Sequence, residues 1–288
     1  MAEEKTVRYD IAIIGTGPAG ISAAITAKLR EKNVLLIGNN NTSDKLVKAQ
    51  CIKNYPGLPE ISGEDFAVAL IKHLDSMNIS ITDDRINGVY LLGDYYAIQG
   101  RDTQYEATTV ILATGMSAVR QYPGEQENLG RGVSYCATCD GALYRGKKVA
   151  VVAYSSGDEP EADFLAGIVD KVYYLPMYDL DRGFSDNVDV IRDNSPVSIE
   201  KTEDGMKLAL NEGDITVDGI FILREQLAPS NLVPGLKMAD NHVEVNRNME
   251  TSMKGLFACG DITGAPYQYV KAAGEGNVAA LSAVKYLS

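Results

Sequence analysis

Cys136 and Cys139 stand in the segment Ser134-Tyr135-Cys136-Ala137-Thr138-Cys139-Asp140-Gly141, with a carboxylate directly after the second thiol. This spacing puts both sulfurs within disulfide reach on one turn. A CxxC at a helix start also depresses thiol pKa, and the thiolate is the nucleophile in disulfide exchange. The other chemistry open to such a pair is half of a zinc site. The chain has no second CxxC and only two histidines, His73 and His242, which weighs against zinc. Cys51 and Cys259 stand alone and read as buried structural thiols.

A second chemical signature is Gly15-Thr16-Gly17-Pro18-Ala19-Gly20, between an apolar strand and a helix. Gly15 permits the tight turn, Gly17 lets backbone approach a pyrophosphate, and Gly20 lets helix pack on strand. The helix N-terminus then offers amides and a partial positive charge to phosphates. The acidic ribose ligand usual at the end of the second strand is absent, and Gly38-Asn39 stands there instead. Asn39 can still hydrogen-bond a ribose. Two further segments favour FAD over NAD. Ala113-Thr114-Gly115 ends a strand close to the nucleotide, and Gly260-Asp261 puts a carboxylate before a helix start, suited to a ribityl hydroxyl.

These residues need a frame of alternating strands and helices. Strand 10–14, helix 18–29 and strand 34–37 open a doubly wound sheet, and a meander over 79–107 leads into strand 109–113. A second such unit runs through strand 149–153, a helix over about 160–169, strand 171–175 and another meander over 188–223. A short strand ending at 259–261 and an Ala-rich helix from about 270 close the chain. The expected fold is therefore α/β, two Rossmann-like three-layer domains with the second inserted into the first. Residues 1–116 and 243–288 are expected to bind FAD, and 117–242 to form a central domain carrying the CxxC. A net charge of -12 speaks against a nucleic-acid partner. No apolar run reaches the ~20 residues of a membrane span, and no secretory signal opens the chain, so a cytoplasmic protein is expected.

With Asn54-Tyr55-Pro56-Gly57, Tyr267-Gln268 and Ala273-Gly274-Glu275-Gly276 added to these motifs, the chain resembles the low-molecular-weight thioredoxin reductases over nearly its whole length. The resemblance implies FAD as cofactor, thioredoxin as partner and a homodimer. It makes Cys139 the thiol facing the flavin, Cys136 the thiol that attacks the partner disulfide, and Asp140 the acid/base. Asn54, Asp261 and Gln268 are implied along the FAD. One departure is that the family's Gly-Gly-Gln turn before Asn54 is replaced by Ser43-Asp44-Lys45, which puts Lys45 among the candidate cofactor contacts.

A second departure concerns the central domain, where the family binds NADPH on another glycine-rich turn. Here that stretch is Ala153-Tyr154-Ser155-Ser156-Gly157-Asp158-Glu159-Pro160-Glu161-Ala162. Side chains replace the needed glycines, and Asp158, Glu159 and Glu161 put negative charge where a phosphate would sit. No arginine follows in Pro176-Met177-Tyr178 to pair a 2'-phosphate. Intact flavin and dithiol motifs with a degenerate pyridine-nucleotide turn resemble the ferredoxin-dependent flavin thioredoxin reductases. Ferredoxin is then the expected donor, about 130 mV and roughly 6 kcal/mol uphill of thioredoxin. Lys45, Lys48 and Lys53 offer a local basic patch for an acidic donor. Two alternatives stay open: an NADPH-dependent reductase with an atypical site, and a flavin dithiol oxidase.

Overall fold

The computed structural model describes residues 7–39, 42–101, 103–116, 121–224 and 227–288. The chain forms two compact units, Met1–Ser117 with Leu227–Ser288, and Ala118–Gln226.

The first unit is built on a sheet ordered β3-β2-β1-β6-β5-β4. Strand β1 (Arg8–Ile14) is buried from Ile11 onward, as an apolar run flanked on both sides must be. It leads through a glycine turn into α1 (Pro18–Leu29) and on to β2 (Val34–Gly38). Two helices, α2 (Asp44–Val47) and α3 (Gly63–Ser76), follow, and Ser62 caps α3 by accepting the Asp65 amide. Next come β3 (Ile81–Asp83), β4 (Gly88–Leu92), β5 (Tyr95–Gln99) and β6 (Gln104–Leu112). β1 pairs in parallel with both β2 and β6, whereas β4, β5 and β6 form an antiparallel meander.

The second unit repeats the plan. It runs through β7 (Val133–Ser134), α4 (Ala137–Asp140), β8 (Lys148–Ala153), α5 (Glu159–Ala166), β9 (Lys171–Pro176) and β10 (Val188–Val190). An antiparallel meander of β11 (Pro196–Thr202), β12 (Gly205–Leu210) and β13 (Asp214–Val217) precedes β14 (Gly219–Leu223). The parallel sheet is ordered β10-β9-β8-β14-β7. Its core gathers Val149, Val151, Leu165, Val172, Tyr174 and Phe221.

The chain then rejoins the first unit through α6 (Pro229–Leu232), the small hairpin β15 (Met238–Ala239) and β16 (His242–Val243), β17 (Leu256–Ala258) and α7 (Tyr269–Tyr286). β17 adds to the sheet beside β6. Residues 227–242, expected in the central domain, cluster with the first unit. Leu232, Val233 and Leu236 are buried and α6 packs on β4, so burial of these side chains fixes the crossing point. The other crossing, expected at 116–117, borders residues 117–120, which lie outside the described ones. Helices α1 and α7 pack closely because Gly276 has no side chain, and a Cβ there would stand 2.0 Å from the Ala19 carbonyl oxygen.

Candidate active site

The glycine turn after β1 takes a form only glycine permits. Gly15 has φ +119°, and a Cβ on it would lie 2.2 Å from the Ala113 carbonyl oxygen. Gly17 is the N-cap of α1, makes no side-chain cap, and leads into Pro18 at the first helical position. A Cβ at Gly17 would meet only Ser43, at 3.9 Å. No acidic residue occupies the first turn, so the α1 amides and the helix dipole face space where an anion fits. Ala19 and Gly20 are buried beneath the turn, and a Cβ on Gly20 would strike the Gly15 carbonyl at 1.8 Å. Thr16 closes the β2 side by donating its hydroxyl to the Asn39 carbonyl at 2.9 Å. Thr114 and Gly115 follow β6, with Gly115 at φ +72°.

Residues far apart in sequence meet at the same unit's rim. Lys45 on α2 pairs with Asp261 at 2.6 Å, and Asn54 donates to the Gln268 side-chain oxygen at 2.5 Å. Asp261 lies on a one-turn 3-10 segment after β17, and Gln268 is the N-cap residue of α7. Glu275 and Lys271 hold that segment. Glu275 accepts the Gly260 amide at 2.9 Å, and Lys271 donates to the Gly260 and Gly264 carbonyls at 2.9 and 2.7 Å. Sequence reasoning missed this clamp, although the i,i+4 spacing of Lys271 and Glu275 signals it. It also missed the Tyr267 hydroxyl bonded to His242 Nε2 at 2.8 Å beside the Lys45 ammonium. Thr42 Oγ1 is buried without a hydrogen-bond partner among the described residues. A glycine cradle without a side-chain cap, an orphaned hydroxyl and a rim of amide, carboxylate and ammonium groups fit a flavin dinucleotide.

The CxxC lies in the second unit, and its two sulfurs are bonded to each other with Cα atoms 5.3 Å apart. Cys136 ends the extended stretch after β7 and is the N-cap of α4, and the Cys139 amide donates to its sulfur at 3.1 Å. Asp140 lies beside the pair, where the Ser134 hydroxyl donates to its carboxylate at 2.7 Å. The same hydroxyl accepts the Cys136 amide at 3.1 Å, so Ser134 ties the acid to the disulfide. Cys136 is buried at 6% exposure, whereas Cys139 is exposed.

In the degenerate nucleotide turn after β8 the carboxylates turn inward. Asp158 is buried, and its Oδ2 accepts the amides of Tyr154 and Ser155, both at 3.1 Å. A protein carboxylate thus takes amides of the kind that hold phosphate in a working turn. Glu159 accepts from the Tyr178 hydroxyl, and Glu161 reaches α4. Beside them the Tyr122 and Tyr154 hydroxyls bond each other, and Arg224 stacks on both rings while pairing with buried Glu125. Burial, followed by the Tyr154 hydroxyl and the Glu125 charge, pushes the Tyr122 phenol up against the opposing Arg224 guanidinium.

Two further expectations change. Cys51 is exposed and donates its thiol to Glu60 Oε1 at 3.7 Å, while its neighbour Ile52 takes the buried place in the small core against α3, and Cys259 is fully buried after β17. In the lysine patch, Lys45 is paired with Asp261 and Lys53 with Glu60 at 2.9 Å, which reduces its net positive charge.

The family model described as pyridine nucleotide-disulphide oxidoreductase matches residues 9–153 and 181–276. A thioredoxin reductase from Bacillus subtilis is 31% identical, covering 100% of this chain and 96% of that protein. Among solved structures, a ferredoxin-flavin thioredoxin reductase from Clostridium acetobutylicum superposes with a TM-score of 0.90 at 45% identity, over 97% of this chain and 98% of that one. A thioredoxin reductase from Gloeobacter violaceus superposes with a TM-score of 0.77 at 29% identity, over 97% and 94%. With dinucleotide cradle, redox-type disulfide and full-length relatives in agreement, the chain belongs to the pyridine nucleotide-disulphide oxidoreductase family and is a FAD-dependent oxidoreductase.

Proposed function

We propose that this enzyme reduces the disulfide of thioredoxin through Cys136 and Cys139, drawing its electrons from reduced ferredoxin rather than NADPH. The observation that carries the donor assignment is the Asp158 carboxylate seated on the Tyr154 and Ser155 amides, which removes the phosphate-binding groups of the second turn. The name of the similar Clostridium acetobutylicum structure supports the same donor, and the names of the thioredoxin reductase relatives support the same acceptor.

The first unit holds FAD through Gly15, Gly17, Pro18, Ala19, Gly20, Asn39, Thr114 and Gly115 at the nucleotide side. Lys45, Asn54, Gly260, Asp261 and Gln268 serve the rim. Bound FAD supplies the electron pair that reopens the disulfide. The second unit does the exchange. Cys136 is buried and must be uncovered before it meets a protein partner. Its sulfur, holding the Cys139 amide, attacks one sulfur of the thioredoxin disulfide, forming a mixed disulfide and releasing one thioredoxin thiolate. Cys139 then attacks the Cys136 sulfur, which restores the internal disulfide and releases the second thiolate. Asp140, held by Ser134, takes the proton from the attacking thiol and returns it to a leaving thiolate. We further assign the enzyme to the cytoplasm as a homodimer.

The test is anaerobic absorbance of the purified flavoprotein on addition of NADPH, NADH and photoreduced ferredoxin in turn. Ferredoxin should bleach the flavin, and the nicotinamides should leave it oxidised. Bleaching by NADPH at a comparable rate refutes the donor assignment, and peroxide formation without thioredoxin reduction refutes the acceptor.

A further inference from the structure

Glu161 belongs to the helix of the degenerate nucleotide turn, yet its carboxylate is engaged elsewhere. It is 2% exposed, and its Oε2 accepts the amide of Ala137, the first residue between the two cysteines, at 3.1 Å. Carboxylates are rarely buried this deeply unless a specific partner holds them. In the same turn the Cys139 amide donates to the Cys136 sulfur at 3.1 Å. A carboxylate oxygen and the Cys136 sulfur therefore each hold an amide of one four-residue turn, with Cys136 itself buried. Once the disulfide opens, a Cys136 thiolate and the Glu161 carboxylate place like charges on that turn, where burial weakens screening.

We infer that Glu161 is a positioning residue that sets the acidity of the Cys136 thiol, disfavouring its thiolate and so keeping the dithiol a strong reductant. This rests on the proposed role of Cys136 as attacking thiol. Reduction breaks one S–S bond and takes up two electrons, with two protons if both products are thiols and one if Cys136 remains a thiolate. A charge that disfavours the thiolate destabilises the reduced pair relative to the disulfide, so the pair gives up its electrons more readily.

The other charged or titratable groups around the turn come from every packed element. Asp140 on α4 is bonded to Ser134, and it pushes up the Tyr144 phenol of the next turn together with burial, the larger cause. Tyr135, beside β7, donates to Glu125, whose charge Arg224 opposes. On α5 and the turn before it, Glu159 is engaged with Tyr178, and Asp158 with Tyr154 and Ser155. Glu161 is the α5 carboxylate bonded to the CxxC turn itself.

The experiment uses full-length, FAD-loaded Cys139→Ser protein, in which Cys136 is the remaining sulfur of the pair. The pH profile of iodoacetamide reaction at Cys136 is read by peptide mass, with and without Glu161→Gln. Glutamine keeps an oxygen for the Ala137 amide and removes the charge. The profile should move to lower pH, giving about tenfold faster alkylation below the midpoint. In the two-cysteine protein, at a pH above the Cys136 midpoint where the thiolate is the reduced form, the same change should shift equilibrium with dithiothreitol about tenfold toward the reduced pair, or about 30 mV. Glu161→Asp, which keeps the charge but draws it back, should shift the profile the same way by less.

An unmoved Cys136 profile in Glu161→Gln overturns the inference, as does an Asp variant that matches the Gln shift. A shift at Cys139 instead, measured in Cys136→Ser protein, also overturns it. A moved profile in an enzyme that fails to reduce thioredoxin faults the proposed function and leaves this inference standing.

Discussion

Four cysteines sit in four environments, and each environment dictates a reactivity. Cys136 is buried with an amide on its sulfur, and Cys139 is exposed beside it. If Cys136 is the attacking thiol, Cys139→Ser should trap a mixed disulfide with thioredoxin, because nothing remains to resolve it. Cys136→Ser should trap far less. Mass spectrometry of the trapped adduct decides, and an adduct on Cys139 alone reverses the assignment. Cys259 differs again, since burial pushes its thiol up, with Glu275 adding to the shift. At pH 8 the folded protein should therefore alkylate at exposed Cys51 while Cys259 reacts only after unfolding. Labelling of Cys259 at the rate of Cys51 in folded protein contradicts its burial. The sequence made the CxxC legible because two thiols on one turn need no tertiary partner. It did not separate Cys51 from Cys259, because a lone cysteine's burial depends on what other elements cover it.

At the level of elements, glycine and apolar patterning anticipated most of the frame. The turn after β1 and the β8–α5–β9 unit appear where local signals put them. Both meanders, however, are shorter than the expected 79–107 and 188–223: β3 pairs in parallel with β2, β10 with β9 and β14 with β8, which leaves β4 to β6 and β11 to β13 antiparallel. Side-chain direction was not legible. Asp158 reads as negative charge where a phosphate would sit, but which amides it holds depends on how its own turn folds back over it. The ties from Lys45 to Asp261 and from Asn54 to Gln268 span more than 200 residues, beyond any local signal. Asp158→Ala leaves the Tyr154 and Ser155 amides without that acceptor. It should cost about 1–3 kcal/mol in denaturant unfolding of the second unit. The same variant should show no gain in flavin reduction by NADPH, because the tyrosine pair and Arg224 still fill the space beside the turn. A restored NADPH response would make Asp158 the single block.

On the scale of the molecule, two units with separate cores share one chain that leaves the first and returns to it. A ligand stabilises the unit that binds it in its folded form, by mass action. Calorimetry of flavin-stripped protein should resolve two transitions, and added FAD should raise one while leaving the other in place. A single transition that moves as a whole would mean the units unfold together. The filled turn of the second unit also bears on descent and engineering. Asp158 is seated on amides, the Tyr122 and Tyr154 hydroxyls on each other, and Arg224 on both rings and Glu125, so each part also supports its neighbours. Reverting any one toward a nucleotide site loses stability before it gains a ligand, and the remaining parts still obstruct. The loss works as a ratchet: a lineage that has taken this step returns to nicotinamide only through several simultaneous changes, and a designer would have to rebuild the whole turn at once.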